Sequence, residues 1–415
     1  MFNFATIRIP SVDRKNLVAS ALFAAVAGVL PYLLASAALA AQEPPGLDRP
    51  AKQSRLLVDA APDSAGSLPA NATLARAIAE RRIVNAHEHI QSAREVGKLK
   101  AVMDQLGIGR TLLFGSSWFT ITLNPDHGFT RYDQNNAAIM RIIEAEPQRF
   151  EAWPTLDPRD PDKLAKIRGL VAQGAKGVKL YLGHGYVDKG TDAYLFHAMA
   201  MDDPAMLPFY AWCQENFVPI MYHVNPYKPG FAEEFIAVLT QFPDLKVIAP
   251  HFILSSIKST RLREFLDTFP NLYSDVSFGH DDFLTKGLKR ISRNPGKFKK
   301  LFRAYPDRFM FGTDLVVTEH PRKSTAWMSA RVRAYLNMLA AESYEVDFLP
   351  GKRLNGLALS GEALERILYR NYEDFMAARP RGTRITRAID WSRMGVARTG
   401  REAGTAIPPP PAGAQ

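Results

Sequence analysis

From residue 73 onward, short apolar runs alternate with longer amphipathic stretches. The apolar runs read as strands at Ile83–His87, Arg110–Gly115, Phe150–Leu156, Gly177–Leu182, Pro219–Val224, Lys246–His251, Leu272–Ser277 and Phe309–Asp314. Helical spacing fills the intervals at Arg94–Leu106, Asp133–Glu146, Pro161–Gln173, Pro204–Asn216, Phe231–Gln241, Thr260–Thr268 and Gly296–Ala304. Two more helices are predicted after the eighth strand, Ser324–Glu342 and Gly361–Ala377, and Thr73 is placed to cap a short opening helix, Leu74–Arg81. The strands are apolar throughout rather than alternating, as expected of parallel strands covered on both faces. Eight strand–helix units in this length predict an α/β fold, a (β/α)8 TIM barrel. A doubly wound open sheet is the alternative, because periodicity does not reveal closure.

The flanks follow other rules. Residues 1–41 carry Arg8, Arg14 and Lys15, then an apolar segment from Leu17 to Leu39, then the small residues Ala38-Leu39-Ala40-Ala41 before Gln42. That is the order of a secretory signal peptide. The expectation is a periplasmic or secreted protein beginning near Ala41 or Gln42. An uncleaved N-terminal membrane anchor is the alternative and the only route to a membrane. Residues 42–72 read as an irregular leader, 73–378 as the barrel domain and 379–415 as a basic, Pro-rich tail, flexible or wrapped on the barrel, ending after Pro408–Pro411.

Charge adds less than its total suggests. Of the net +10, +2 lies in residues 1–41 and +5 in residues 379–415, leaving +3 for the body. No nucleic-acid surface is inferred from that distribution. The expected partner is a small-molecule substrate, with a homo-oligomer left open. The one cysteine, Cys213, excludes an intrachain disulfide and falls in a helical pattern, which predicts a core residue rather than a nucleophile.

Chemistry gathers at the strand ends. His87 and His89 share one face of strand 1, because side chains alternate with period two, and Glu88 points the other way. Lys179 lies in strand 4, His223 ends strand 5, His251 ends strand 6 and Asp314 ends strand 8. The nine histidines of the chain include four at three strand ends, and closure of a barrel would bring them to one mouth. Imidazoles and a carboxylate suit a divalent metal, Zn²⁺ foremost, with Mn²⁺, Fe²⁺ or Co²⁺ as alternatives. Such an ion brings the pKa of a bound water to about 7. Asp314 could hold the ion or take a proton. Lys179 in such a site would have to be neutral, paired or carboxylated.

The ordered set resembles the amidohydrolase superfamily, and within it the amidohydrolase-related branch that includes aminocarboxymuconate semialdehyde decarboxylase. The matching stretches are Asn85-Ala86-His87-Glu88-His89, Gly174 to Tyr181, Tyr222-His223, Pro250-His251, Phe311-Gly312-Thr313-Asp314 and Arg366-Ile367-Leu368-Tyr369-Arg370-Asn371. The resemblance implies a metal-bearing barrel in which His87, His89 and Asp314 bind the first ion. In one-metal members His223 completes the site and His251 assists the water. In two-metal members a carboxylated Lys179 bridges the ions, and His223 and His251 bind the second. The activity implied is hydrolysis of a carbonyl, lactone, amide or ester substrate by metal-activated water, with Asp314 and His251 catalytic. The alternative is non-oxidative decarboxylation of a small carboxylic acid. Three loops are expected to line the pocket. The strand 2 loop holds Trp118, Asn124 and His127; the strand 4 insertion holds His184, Tyr186, Asp188, Tyr194 and His197; the strand 8 loop holds Glu319, His320 and Arg322.

Overall fold

The computed structural model describes residues 67–115, 131–182, 184–187, 194–196, 199–228, 230–253, 259–396 and 398–400. The expected signal segment, most of the leader, the far tail, Trp118, Asn124, His127, Asp188 and His197 lie outside the described residues, as do the side chains of His184, Tyr186 and Tyr194.

Eight parallel strands form the centre: β1 (Ile83–His89), β2 (Ile108–Phe114), β3 (Phe150–Trp153), β4 (Val178–Tyr181), β5 (Ile220–His223), β6 (Val247–Ile248), β7 (Leu272–Asp275) and β8 (Phe309–Met310). Ladders join β1-β2-β3 and β4-β5-β6-β7-β8. Two seams close the circle. Thr155 bridges Lys179 in parallel, and Lys179 N–H donates to the Pro154 carbonyl at 2.8 Å, which links β3 to β4. Ala86 N–H donates to Phe311 O at 2.8 Å and Asp314 N–H to His87 O at 2.8 Å, which links β8 to β1. The fold is therefore a closed (β/α)8 barrel, and the open-sheet alternative falls away.

Helices cover the outside: α1 (Ala72–Ala79), α2 (Val96–Gln105), α3 (Tyr132–Ala145), α4 (Lys163–Ala172), α5 (Leu207–Glu215), α6 (Phe231–Gln241), α7 (Ser259–Thr268), α8 (Asp281–Arg293), α9 (Pro295–Ala304) and α10 (Thr325–Ala340). α11 (Gly361–Glu365) runs through a π turn at Arg366–Arg370 into α12 (Asn371–Ala377). Several bury an apolar stripe, as α2 does with Leu99, Val102 and Met103, whereas α10 is buried on most of its circumference. The cap of α1 is a correction: Asn71 Oδ1, not Thr73, accepts from Leu74 N–H at 3.1 Å, and Thr73 Oγ1 instead accepts from Gly361 N–H. Cys213 is buried in α5, and burial pushes its thiol pKa up, which fits the core assignment.

Several predicted strands end early, and two of these shortened ends carry site residues. β6 stops at Ile248, and His251, Phe252 and Ile253 follow with φ of 59°, 55° and 59°. The β8 ladder with β7 stops at Met310, and Asp314 has φ 51°. L-residues in this left-handed region cost on the order of 1–3 kcal/mol each. The turns lift His251 and Asp314 out of the ladder at the C-terminal mouth. The tail from 379 to 396 follows the barrel surface. Asp244 accepts from the backbone of Gly382 and Thr383, and buried Glu264 accepts from Arg387, Arg393 and Asp390 N–H.

Candidate functional site

The outer network of β1 sets the inner one. Thr313 Oγ1 accepts from Asn85 Nδ2 at 2.8 Å and donates to Glu88 Oε2 at 2.8 Å. Glu88 also accepts from the backbone N–H groups of His89, Leu315 and Val316. Burial pushes the Glu88 carboxyl up to about 7, against the pull of those hydrogen bonds. Glu88 thus clamps the turn after β8 from the side away from the mouth, as its alternation predicts. A bulge in β1 between Asn85 and Glu88 adds a local kink beside His87.

On the inner side, His87 Nε2 lies 3.3 Å from His89 Nε2. Asp314 Oδ1 lies 3.6 Å from His87 Nε2 and 3.2 Å from His89 Nε2. A tetrahedral ion with ligands at roughly 2.0–2.1 Å separates them by about 3.3 Å along each edge. The donor set and its spacing therefore fit a divalent ion. Asp314 Oδ2 faces away from these two rings and lies 3.4 Å from His251 Nε2. Lys179 Nζ is 3.2 Å from His87 Nε2 and lies over the Phe114 and Tyr181 rings.

Of the six residues predicted for the metal site, His87, His89, Asp314, Lys179 and His251 come together. The His223 ring adjoins them, its centroid 5.1 Å from that of His251 and 5.4 Å from that of Tyr181, spacings like those of His87 to His251 (5.2 Å) and to His89 (5.3 Å). Among the described residues, the groups able to hold an ion are His87–His89–Asp314 and His87–His251–Asp275. In the second, Asp275 Oδ2 lies 2.6 Å from His87 Nδ1, the ring edge turned away from the first group. That contact is a hydrogen bond holding the ring, so the first group is the better cradle. In the strand 8 loop, His320 Nδ1 accepts from Arg322 N–H, and the backbone N–H of Glu319 donates to Gln91 Oε1, beyond the end of β1.

Burial and charge set the protonation of the site. Burial, and then Lys179, lower His87 to about 4, which keeps its ring neutral. Burial lowers Lys179 to about 8, opposed by Asp314 and Asp275. Burial disfavours both carboxylates as anions, but the surrounding imidazoles outweigh it and hold Asp275 and Asp314 well below the usual carboxylate range. Gly279 completes the wall with φ +69°; a Cβ there would stand 2.7 Å from Asp314 Oδ2.

Asp275 and Ser277 were absent from the expected site. Their signal was present: an acidic residue closing the seventh strand, in Leu272-Tyr273-Ser274-Asp275-Val276-Ser277, occupies the same barrel-mouth position as the other site residues.

The family model described as amidohydrolase matches residues 102–375. No curated protein gives a sequence match. Among solved structures, the chain is similar to an uncharacterized TIM-barrel protein from Bordetella bronchiseptica, with 16% identity, a TM-score of 0.47 and coverage of 71% of this chain and 98% of that one. It is similar to a probable 2-pyrone-4,6-dicarboxylic acid hydrolase from Acinetobacter baumannii, with 14% identity, a TM-score of 0.47 and coverage of 72% and 100%. It is also similar to a 2,6-dihydroxybenzoate decarboxylase from Rhizobium, with 15% identity, a TM-score of 0.45 and coverage of 71% and 98%.

Proposed function

The chain belongs to the amidohydrolase family, a family of enzymes, and from that premise we propose that it is a one-metal hydrolase acting on a small carbonyl, lactone, amide or ester substrate. The observation that carries the reading is the two-sided use of Asp314, with Oδ1 toward His87 and His89 and Oδ2 toward His251. His87 Nε2, His89 Nε2 and Asp314 Oδ1 would hold the ion, Zn²⁺ being the best match to this donor set. The ion supplies Lewis acidity, polarising an electrophilic oxygen and easing deprotonation of water near neutral pH.

The rest is done by the chain. The turn that gives Asp314 its positive φ aims both carboxylate oxygens into the mouth. Asp314 Oδ2 and His251 Nε2 face one space, so a proton taken by one can be passed to the other and returned to a leaving group. Gly279 leaves that space open. Lys179 brings an amine against His87 and gives the second reading its footing: a fixed cation there could receive a substrate carboxylate, as non-oxidative decarboxylation would require.

Zinc-loaded protein assayed on lactones, esters, amides and aromatic carboxylic acids tests both readings. Hydrolysis adds the mass of water to the products, whereas decarboxylation releases CO₂ without it. Loss of CO₂ would replace the hydrolase reading with the second. Export remains part of the proposal on the strength of the basic, apolar and small-residue order of residues 1–41. N-terminal sequencing of exported protein that found Met1 retained would rule out the cleaved form.

A further inference from the structure

Asp275 is fully buried and commits both carboxylate oxygens to the neighbourhood of two imidazoles. Oδ2 lies 2.6 Å from His87 Nδ1. Oδ1 accepts from the backbone N–H of His251 at 2.9 Å, from Ser277 N–H at 3.0 Å and from the Ser277 hydroxyl at 2.7 Å. Ser277 Oγ in turn lies 2.8 Å from His251 Nδ1.

Counting donors fixes both rings. An ionised carboxylate only accepts, so the proton of neutral His87 sits on Nδ1 and its Nε2 carries the lone pair. The serine has one hydroxyl proton. If it pointed at His251, Oγ and Asp275 Oδ1 would face each other as two buried acceptors at 2.7 Å. With that proton on the Asp275 contact, Oγ receives the Nδ1–H of His251; Asp314 Oδ2, 3.4 Å from Nε2, is an ion-pair neighbour without hydrogen-bond geometry, which leaves the lone pair of the neutral ring on Nε2. Lys179 Nζ, 3.2 Å from His87 Nε2, is a donor that meets the lone pair of this tautomer.

We propose that Asp275 and Ser277 are positioning residues that lock His87 and His251 as Nδ1–H tautomers, the first directly and the second through the serine hydroxyl. One buried carboxylate would then set the metal-facing lone pair of His87 and the proton-accepting lone pair of His251 together. The functional consequence rests on the metal-dependent reading above; the tautomers themselves do not.

The experiment uses full-length protein labelled with ¹⁵N-histidine, stripped of metal by a chelator at pH 8, with long-range ¹H–¹⁵N correlation spectra. His87→Gln and His251→Gln assign the two rings. The wild type should give the Nδ1–H pattern for both. In Asp275→Asn, His87 should shift toward Nε2–H, and its Zn²⁺ dissociation constant should rise 10- to 100-fold. In Ser277→Ala, His251 should become a tautomer mixture while His87 and the Zn²⁺ affinity stay within twofold of wild type. Circular dichroism checks that each variant folds, and Ser277→Ala carries the test if Asp275→Asn does not. An Nε2–H pattern on either wild-type ring overturns the proposal, and so does an unchanged His251 ring in Ser277→Ala. Protein that binds no Zn²⁺ yet gives these tautomer changes supports the positioning role and removes the metal reading alone.

Discussion

Asp314 meets His89 through Oδ1, 3.2 Å from Nε2, and keeps Oδ2 for His251. One carboxylate thus spans the cradle and the proton-accepting side of the mouth. Replacing it by an isosteric amide removes the charge and half the acceptor capacity without changing shape. Asp314→Asn should therefore lower metal content and reduce turnover on the order of 10²–10⁴-fold, with secondary structure unchanged. Metal analysis by plasma mass spectrometry, paired with rate measurements, checks both. Wild-type metal content and turnover in this variant would remove Asp314 from the site.

Gly279→Ala probes the same carboxylate from the wall. The backbone there is left-handed, and a methyl group would meet Asp314 Oδ2 at 2.7 Å. Either the carboxylate swings away from His251 or the loop shifts. The expected cost is about 1–2 kcal/mol of stability from the backbone, with a fall in kcat larger than any change in bound metal. Chemical denaturation and metal analysis separate the two effects. An alanine variant with wild-type kcat would mean that the space beside Oδ2 has no part in the reaction.

Much of this site could be read along the chain. Strand alternation put His87 and His89 together and Glu88 opposite them, and barrel topology carries Lys179, His251 and Asp314 to the same mouth. What alternation could not give was backbone that leaves the strand. The positive φ values at His251 and Asp314 aim those side chains, and although His and Asp are enriched in that region, the bias is too weak to announce a left-handed turn. Asp275 was missed because an acidic residue after an apolar run reads as an ordinary strand end until His87 is seen 2.6 Å away. Helix α8 was missed as well. Its stripe of Leu284, Leu288 and Ile291 is helical, but Gly287 interrupts it.

Lys179 makes stability depend on pH in a defined window. Its folded value, about 8, lies below the 10.5 of a solvated lysine, with burial as the leading cause. Between those values the unfolded chain holds more protons than the native one, so native stability rises with pH through the window. Removing the lysine as Lys179→Met should abolish that rise. In metal-stripped protein, the wild type should gain on the order of 3 kcal/mol relative to the variant between pH 8 and pH 10.5. Lys246, also lowered by burial to about 8, contributes to both proteins and cancels in the difference. Urea unfolding across that range measures it, and parallel pH profiles for the two proteins would place the Lys179 amine in a more solvated setting than the barrel wall provides.

Glu264 ties the tail to the barrel, and its removal should release one without unfolding the other. The carboxylate is fully buried on α7, with Oε1 accepting from Arg387 at 2.6 Å and Asp390 N–H at 2.7 Å, and Oε2 accepting from Arg393 at 2.6 Å. Both arginines are about one-third exposed, so water can take over their charges and the loss should fall below that of a wholly buried pair. Glu264→Ala is expected to cost about 1–3 kcal/mol. It should also open the backbone near Arg387 and Arg393 to trypsin well before the barrel is cut, because the short helix Trp391–Met394 loses the anchor that seats it. Time-resolved proteolysis with mass detection reads the order of cleavage. Cleavage at these arginines as slow as in wild type would mean that apolar packing of Trp391 and Met394, rather than the buried carboxylate, holds the tail in place.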